Sequence, residues 1–316
     1  MLKFIQKPMP RPAAKKPHKR AAKSVPQPEP VTVEPMWLVK AIGATILAAL
    51  LCAYLALCFL FYQGQWQIVL HPARTQAAPQ SIGGAAFEVI HFGPDASAIP
   101  QRTGWWIPAG PGNRYGNAAV LFLPAGDGSL QDSIPTLTAL HGMGVNVFAF
   151  DYRGYGQSAN THPSQEGMTA DVESAWNYLT GSRAIAGTKI VVYGTGVGAS
   201  LAVHLAAEHA TIPGIILDAP RGDLLDVARS DPRSHLVPVG QLFHERFPLA
   251  EPLHSLRTPK LLLSRPATPK KIRTAIDSAA MPKIVAEIQS PAGDIYRAAV
   301  TKFLDTCLGV TQAHNK

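Results

Sequence analysis

Cysteine is scarce in this chain of 316 residues, which contains only Cys52, Cys58 and Cys307. No two of them form a C-x-x-C pair, so the sequence predicts no disulfide framework. The histidines are scattered without a ligand spacing such as H-x-x-x-H, and no glycine-rich stretch ends in the G-K-[ST] of a phosphate-binding loop. We therefore predict neither a bound metal nor a cofactor.

Charged residues are also few, at 16% of the chain, and most of the formal net charge of +8 lies at one end. Residues 1–36 contain eight Lys and Arg against two Glu, which leaves the rest of the chain nearly neutral. Because that remainder has no stripe of Lys and Arg interleaved with aromatic residues, a nucleic-acid partner is not predicted. Residues 1–36 are rich in Pro, Lys and Ala, and we predict a disordered tail because such a segment buries too little apolar surface to fold.

Residues 41–62 form a run of 22 residues without a charge. At about 1.5 Å per residue, a helix of this length crosses a bilayer core of about 30 Å. Trp37, Tyr62 and Trp66 flank the run, as interfacial aromatic residues do. A buried core helix and a cleaved signal peptide are the alternatives. Both fit less well, because the run is apolar on every side and the basic segment before it is long.

The sequence thus predicts a transmembrane helix over residues 37–62, with the membrane as its partner. Positive charge precedes this segment and little follows it, which predicts that residues 1–36 are cytoplasmic. Residues 63–316 are then predicted to form a domain on the outer side of the inner or plasma membrane, in the periplasm if the cell is Gram-negative.

From residue 85 onward, short apolar runs alternate with segments of helical periodicity. Continuous apolar strands that alternate with helices predict an α/β fold: a mostly parallel, doubly wound sheet with helices on both faces, begun by two antiparallel strands. The predicted strands are 87–92, 103–108, 117–124, 145–151, 188–194, 214–220, 259–264 and 282–289, and the predicted helices are 165–181, 197–210 and 294–309.

Three segments carry a recognisable signature, in the order FAFDYRGYGQSANTHPSQEGMTADVESAWNYL, IVVYGTGVGASLAVHLAA and LDAPRGDLLDVARS. Over about residues 65–308 the chain resembles the α/β-hydrolase superfamily. Within it, the chain is similar to the membrane-anchored serine hydrolases with an F-D-Y-R-G-Y-G-x-S motif and a short lid. The resemblance implies a strained strand-to-helix turn, the elbow, which presents a serine to a histidine and an acid while two backbone N–H groups hold the oxyanion.

In the stretch VVYGTGVGAS, the resemblance aligns the nucleophilic serine with Gly196. Gly194 and Gly198 match the glycines that flank the serine in the family. Glycine has no side chain to attack a substrate, and it relaxes a backbone conformation that costs a serine about 1–3 kcal/mol. The elbow is therefore predicted to keep its shape without its nucleophile.

The other members of the triad are also missing at the aligned positions. Thr268 of SRPATP stands near the position of the acid, and Ala292 or Gly293 of SPAGDIY stands at that of the histidine. The oxyanion loop reads PAGDG, and the backbone N–H groups of Gly126 and Val197 are the candidate oxyanion donors. Because three losses form a consistent pattern, no catalytic residues are predicted.

Relocated catalysis is the alternative interpretation. Ser200 and His204 follow the elbow with an i,i+4 spacing that allows a dyad on the helix, and Thr195 is a second candidate nucleophile. Asp218 stands where some members of the superfamily place the acid. The stretch GTGVGA followed by Asp218 also fits a dinucleotide fingerprint loosely, but that fingerprint belongs to the first strand of a sheet, and this sheet begins upstream.

The sequence predicts a membrane-anchored protein of α/β-hydrolase fold that has lost catalysis and acts as a partner- or ligand-binding subunit. The alternative is an active serine-type hydrolase of esters or thioesters that uses non-standard residues. Residues 221–258, a short lid rich in Pro, Leu, Phe and His, and the basic tail are the candidate interaction surfaces.

Overall fold

The computed structural model describes residues 35–110, 113–290 and 293–309. The chain divides into two compact units, residues 1–52 and residues 53–316. Helix α1 (Pro35–Gly64) begins in the first unit, and an 18-residue window of it has a mean hydropathy of 2.5, so this helix is long and apolar enough to cross a membrane. The predicted disordered tail lies, up to position 34, outside the described residues.

A mostly parallel sheet forms the centre of the second unit. The strands are β1 (His71–Pro72), β2 (Glu88–Pro94), β3 (Pro100–Ile107), β4 (Ala119–Leu123), β5 (Asp127–Gly128), β6 (Asn146–Asp151), β7 (Ile190–Thr195), β8 (Ile215–Asp218), β9 (Lys260–Ser264) and β10 (Lys283–Glu287). Eight of them form the sheet in the order β10-β9-β8-β7-β4-β6-β3-β2, and β1 pairs with β5. Strand β3 runs antiparallel to its neighbours β2 and β6, whereas the other neighbouring strands are parallel. The predicted fold class is confirmed.

Helices cover both faces of this sheet. The described helices after α1 are α2 (Trp66–Val69), α3 (Ile134–His141), α4 (Gln165–Asn177), α5 (Gly198–Glu208), α6 (Leu225–Ser230), α7 (Val239–Leu242), α8 (Ala250–Ser255), α9 (Lys270–Ser278) and α10 (Asp294–Leu308), with single 3-10 turns at Leu130–Ser133, Gly187–Lys189 and Pro232–Ser234 and a π turn at Tyr178–Ser182. One apolar cluster contains side chains of α4 and α5, and a second contains side chains of α3 and α10. Strands β4 and β6 are buried along their whole length because they lie between these two layers.

Local sequence explains where several helices begin and end. Ser164 caps α4, because its Oγ accepts the Gly167 N–H at 3.0 Å. Gly309 ends α10 with a φ of +69°, a left-handed conformation that glycine adopts without strain. Helix α9 is absent from the sequence prediction, although Ile272 and Ile276 occupy one buried face at i,i+4 spacing.

A buried ion cluster fixes the loop that follows β6. The side chain of Asp171, on α4, is 1% exposed and accepts hydrogen bonds from Arg102 Nε at 2.7 Å and from Arg153 Nε at 2.6 Å. Its other oxygen accepts the Arg153 backbone N–H at 2.8 Å. In the same loop, Ser158 Oγ donates to the carbonyl oxygen of Asp151 at 2.6 Å. The D-Y-R-G-Y-G-x-S stretch therefore connects β6, the loop that follows β6 and helix α4 through hydrogen bonds.

Candidate functional site

The turn between β7 and α5 is the elbow, and it is closed against the loop that follows β4. Gly196 lies at the apex of this turn with a φ of +56°, in the left-handed region. A Cβ atom built on Gly196 would lie 2.7 Å from the Cβ atom and 2.7 Å from the carbonyl oxygen of Ala125. Because optimal carbon–carbon contacts are about 3.5–4.0 Å, the aligned position of the nucleophile has no room for a side chain.

Three backbone hydrogen bonds hold this closure. The Gly196 N–H donates to the Asp218 carbonyl oxygen at 3.2 Å, and the Arg221 N–H donates to the Gly196 carbonyl oxygen at 2.8 Å. The Val197 N–H donates to the Ala125 carbonyl oxygen at 3.2 Å. Val197 is therefore not the free oxyanion donor that the sequence predicts, since its amide already has a partner within the closed turn.

Apolar side chains fill the space beside Gly126, the other predicted oxyanion donor. A Cβ atom built on Gly126 would lie 2.5 Å from Val197 Cγ2 and 3.2 Å from Leu70 Cδ2. Val197 is 0% exposed and Leu70 is 1% exposed. The Gly126 carbonyl oxygen accepts the His71 N–H at 3.1 Å and the Tyr155 hydroxyl at 2.8 Å, which fixes the loop in this position. The space beside the elbow is thus packed by the protein itself.

Asp218, the candidate relocated acid, ends β8 and is paired with a cation. Arg265 follows β9, and its Nη2 lies 3.0 Å from Asp218 Oδ1 and 3.2 Å from Oδ2. The Tyr193 hydroxyl donates to Asp218 Oδ2 at 3.0 Å. Burial raises the pKa of Asp218, and the positive charge of Arg265 opposes this rise. The Asp218 carboxylate therefore acts as the counter-ion of Arg265.

The positions aligned with the catalytic acid and histidine have ordinary structural roles where the structure describes them. Thr268 Oγ1 accepts the Arg265 backbone N–H at 2.9 Å, so this residue stabilises the turn after β9. Ala292 lies outside the described residues, and Gly293 is the N-cap of α10. Gly194 and Gly198 pack against each other across the elbow, because a Cβ atom on Gly194 would lie 2.3 Å from the Gly198 carbonyl oxygen.

Ser200 and His204 do not form the dyad that their spacing allows. Ser200 is buried, and its Oγ donates to the carbonyl oxygen of Pro248 in the lid. His204 is exposed and lines a cavity of about 730 Å³ together with residues of α4. No hydrogen bond joins these two described side chains. Thr195 is the last residue of β7 and pairs in register with Asp218.

A polar cross-link that no sequence motif predicts connects three segments beside the elbow. His71 Nδ1 lies 2.8 Å from Asp127 Oδ1, and the Arg221 guanidinium donates to the other Asp127 oxygen and to the Val69 carbonyl oxygen at 3.4 Å. These residues lie too far apart in the sequence for a spacing pattern to reveal that they are in contact. His71 and Asp127 are two potential metal ligands, but within the described ranges no group of three or more His, Cys, Asp or Glu is placed to hold a metal ion.

The eight-stranded sheet and the strand-to-helix elbow define an α/β-hydrolase fold. Residues 118–290, more than half of the chain, match the model of the family described as serine aminopeptidase, S33, and the chain belongs to this family. Solved structures share the fold. An esterase of Pyrococcus furiosus superposes with a TM-score of 0.58 at 17% identity over 76% of this chain and 98% of that one. An α/β-hydrolase of Vibrio vulnificus has a TM-score of 0.54 at 16% identity over 76% of this chain and 97% of that one.

Relatives found by sequence similarity match a shorter part of this chain than the solved structures do. An uncharacterized protein of Mycobacterium tuberculosis is 30% identical over 161 residues, which cover 51% of this chain and 55% of that protein. The alpha/beta hydrolase domain-containing protein 17C of Xenopus tropicalis is 28% identical over 162 residues, 50% of this chain and 48% of that protein. The chain thus spans about half the length of these curated relatives.

Proposed function

We propose that this chain is a membrane-anchored protein of α/β-hydrolase fold that does not hydrolyse substrates at its elbow and acts instead as a partner- or ligand-binding subunit. One observation carries the proposal: Gly196 occupies the aligned position of the nucleophile, and Ala125 fills the space that a side chain would need. The pairing of Asp218 with Arg265 supports it, since a catalytic acid must be available to orient a histidine. The engaged amide of Val197 supports it as well, because oxyanion stabilisation requires free donors.

A fluorophosphonate probe, which reacts with activated serines, tests this proposal on the full chain in lipid nanodiscs. We expect no labelling above that of the heat-denatured protein, because the elbow has no nucleophile and Ser200 is bonded to Pro248. The Ser200→Ala variant is run in parallel, together with an active serine hydrolase as a positive control. Labelling that depends on the folded state would contradict the proposal and favour the alternative hydrolase of esters or thioesters. Its loss in Ser200→Ala would then identify the nucleophile.

We also propose how the chain is oriented across the membrane. Residues 37–62 form the anchor, residues 1–36 lie in the cytoplasm and residues 63–316 form a domain outside the cytoplasm. The length and hydropathy of α1 support the anchor, and the eight Lys and Arg before it support the orientation. If the cell is Gram-negative, the domain is periplasmic.

Reporter fusions to the C-terminus of the full chain test this orientation in a Gram-negative host. We expect an alkaline phosphatase fusion to be active, because this enzyme folds only outside the cytoplasm. We expect a green fluorescent protein fusion to be dark, because this protein does not become fluorescent when it is exported through the general secretory route. Fusions to the N-terminus serve as the matched control and should give the opposite result with green fluorescent protein. A bright C-terminal fusion with an inactive phosphatase would contradict the orientation.

A further inference from the structure

We infer that the lid lies on the surface of the lipid bilayer, with Leu236 in the interfacial region and Arg246 against the lipid phosphates. This inference rests on the proposed membrane anchor and adds a second contact of the chain with the bilayer. The bilayer is the partner because the lid is attached directly to the end of α1, the helix that is long and apolar enough to cross a membrane.

Helix α1 enters the folded domain without a linker. Gln65 is the single residue between α1 and α2, and Cys58 and Phe61, near the end of α1, already pack in the apolar cluster of the domain. Residues 41–62 span about 33 Å as a helix, close to the bilayer core of about 30 Å, so Cys58 lies about 6 Å from the end of this run. The domain therefore reaches the boundary of the bilayer and does not stand away from it.

The lid is a part of the domain that meets this end of α1. Gln65 Nε2 donates to the carbonyl oxygen of Leu242 at 3.2 Å, and the ring centroids of Tyr62 and His244 lie 4.8 Å apart. Helix α6 of the lid also packs against α2. Tyr62 is 49% exposed, and tyrosine is enriched where a membrane helix meets the lipid headgroups. The contacts of Gln65 and Tyr62 thus place the lid at the level of the headgroups.

Leu236 provides the apolar part of this surface. Its side chain is 71% exposed, the highest value among the large apolar side chains of the described residues, those of α1 included. At about 3.6 Å per extended residue and about 1.5 Å per helical residue, its Cα atom lies within about 16 Å of that of Leu242. Burial of such a side chain in the interfacial region is favourable by about 25 cal/mol per Å² of apolar surface.

Arg246 provides the charged part. It is exposed and follows His244, the residue in ring contact with Tyr62, by two positions. Its guanidinium donates to two carbonyl oxygens of the lid, and within the described ranges no carboxylate pairs with it. Arg233 of the lid, by contrast, pairs with Asp231 at 2.8 Å. The positive charge of Arg246 is therefore available to a lipid phosphate, which a guanidinium binds in a matched geometry.

Nitroxide-bearing lipids test the inference on the full chain in nanodiscs, because they quench a fluorophore only when it lies in or against the bilayer. Cys52, Cys58 and Cys307 are replaced with alanine, and Leu236→Cys provides the single attachment point for an NBD fluorophore. We expect lipids with the nitroxide near the headgroup to lower its emission by about half or more, relative to nanodiscs without nitroxide, because interfacial apolar groups lie about 5–10 Å deep.

Met281→Cys in the same background is the matched control. Met281 is 62% exposed and precedes β10, at the amino end of the parallel strands, whereas the lid follows β8 at their carboxyl end. We expect its label to keep the same emission with and without nitroxide. Equal quenching at positions 236 and 281 would overturn the inference, as would the absence of quenching at position 236.

A label on the native Cys52 separates this inference from the proposed anchor. Cys52 is an exposed residue of α1, and the chain that retains it carries alanine at positions 58 and 307. We expect lipids with the nitroxide deep in the acyl chain to quench this label. If they do not, the anchor itself is contradicted. A quenched label on Cys52 beside an unquenched label at position 236 would overturn the inference about the lid alone.

Reversal of one charge tests the part played by Arg246. In nanodiscs that contain phosphatidylglycerol, Arg246→Glu should lower the quenching at position 236 by about half or more, because an acidic side chain is repelled by the anionic surface. Arg297→Glu makes the same change at an exposed residue of α10, a helix that packs on the other face of the sheet, and should leave the quenching unchanged. Equal quenching in the two variants would overturn the assignment of Arg246 to the lipid phosphates.

Discussion

Replacing Gly196 with serine is expected to destabilise the protein and to leave it unreactive towards fluorophosphonates. The new Cβ atom would lie 2.7 Å from the Ala125 backbone, so the loop after β4 must shift. A φ of +56° adds a backbone cost for any residue with a Cβ atom. Overpacking and backbone strain each cost about 1–3 kcal/mol, so we expect a loss of about 3 kcal/mol in the free energy of unfolding. At about 2–4 °C per kcal/mol, the melting temperature should fall by about 6–12 °C.

A second glycine separates these two contributions. Gly84 has a φ of +80°, and a Cβ atom built on it meets nothing within 4 Å, so Gly84→Ser carries the backbone cost without the clash. Its melting temperature should fall by less than that of Gly196→Ser. A Gly196→Ser variant as stable as Gly84→Ser would mean that the loop yields easily. Labelling of Gly196→Ser by the probe would mean that a working base and acid lie within reach of the elbow.

Replacing Asp171 with asparagine is expected to lower the free energy of unfolding by about 3–5 kcal/mol. Removal of one partner from a buried ion pair typically costs this much, because the other charge is left uncompensated. The carboxylate is 1% exposed and neutralises Arg102 and Arg153, both through Nε at 2.7 Å or less. An asparagine leaves two guanidinium groups without a counter-charge and turns an NH₂ group towards N–H donors. Denaturant unfolding of the full chain, followed by tryptophan fluorescence, measures the loss.

An exposed carboxylate provides the comparison. Asp226 Oδ2 lies 2.7 Å from Lys271 Nζ, at a similar distance to the buried pair, but both side chains are more than half exposed. Water already screens this pair, so Asp226→Asn should unfold at a denaturant concentration close to that of the wild type. If Asp171→Asn and Asp226→Asn unfold at the same denaturant concentration, burial does not determine the strength of the Asp171 cluster.

The sheet could be predicted from the sequence because its central strands correspond to continuous runs of apolar residues. The runs at 117–124 and 145–151 contain β4 and β6, which are buried along their whole length, and burial on both faces requires helices on both sides. Helix α9 escaped prediction although Ile272 and Ile276 mark its buried face. The helices of the lid, α6 to α8, have only four to six residues each, too few to show a period.

The elbow could be located from sequence, but its closure could not. The spacing of Gly194, Gly196 and Gly198 identifies the turn, because the close approach of strand and helix needs glycine at fixed intervals. Whether a side chain fits at the apex depends on Ala125, about 70 residues earlier in the chain. The pairing of Asp218 with Arg265 likewise joins two different strands. Such contacts follow from the register of the sheet, which the motif itself does not contain.

The burial of Val69 and Leu70 determines where the chain can be cut. Both side chains are at most 1% exposed, and Phe61, three residues before the end of α1, already packs in the same apolar cluster. Gln65 ties this stretch to the lid, since its Oε1 accepts the His244 N–H at 2.7 Å. A protease that cleaved between Phe61 and His71 would therefore expose part of the core rather than release an intact domain. A fragment that keeps this core intact has to include the last turn of α1.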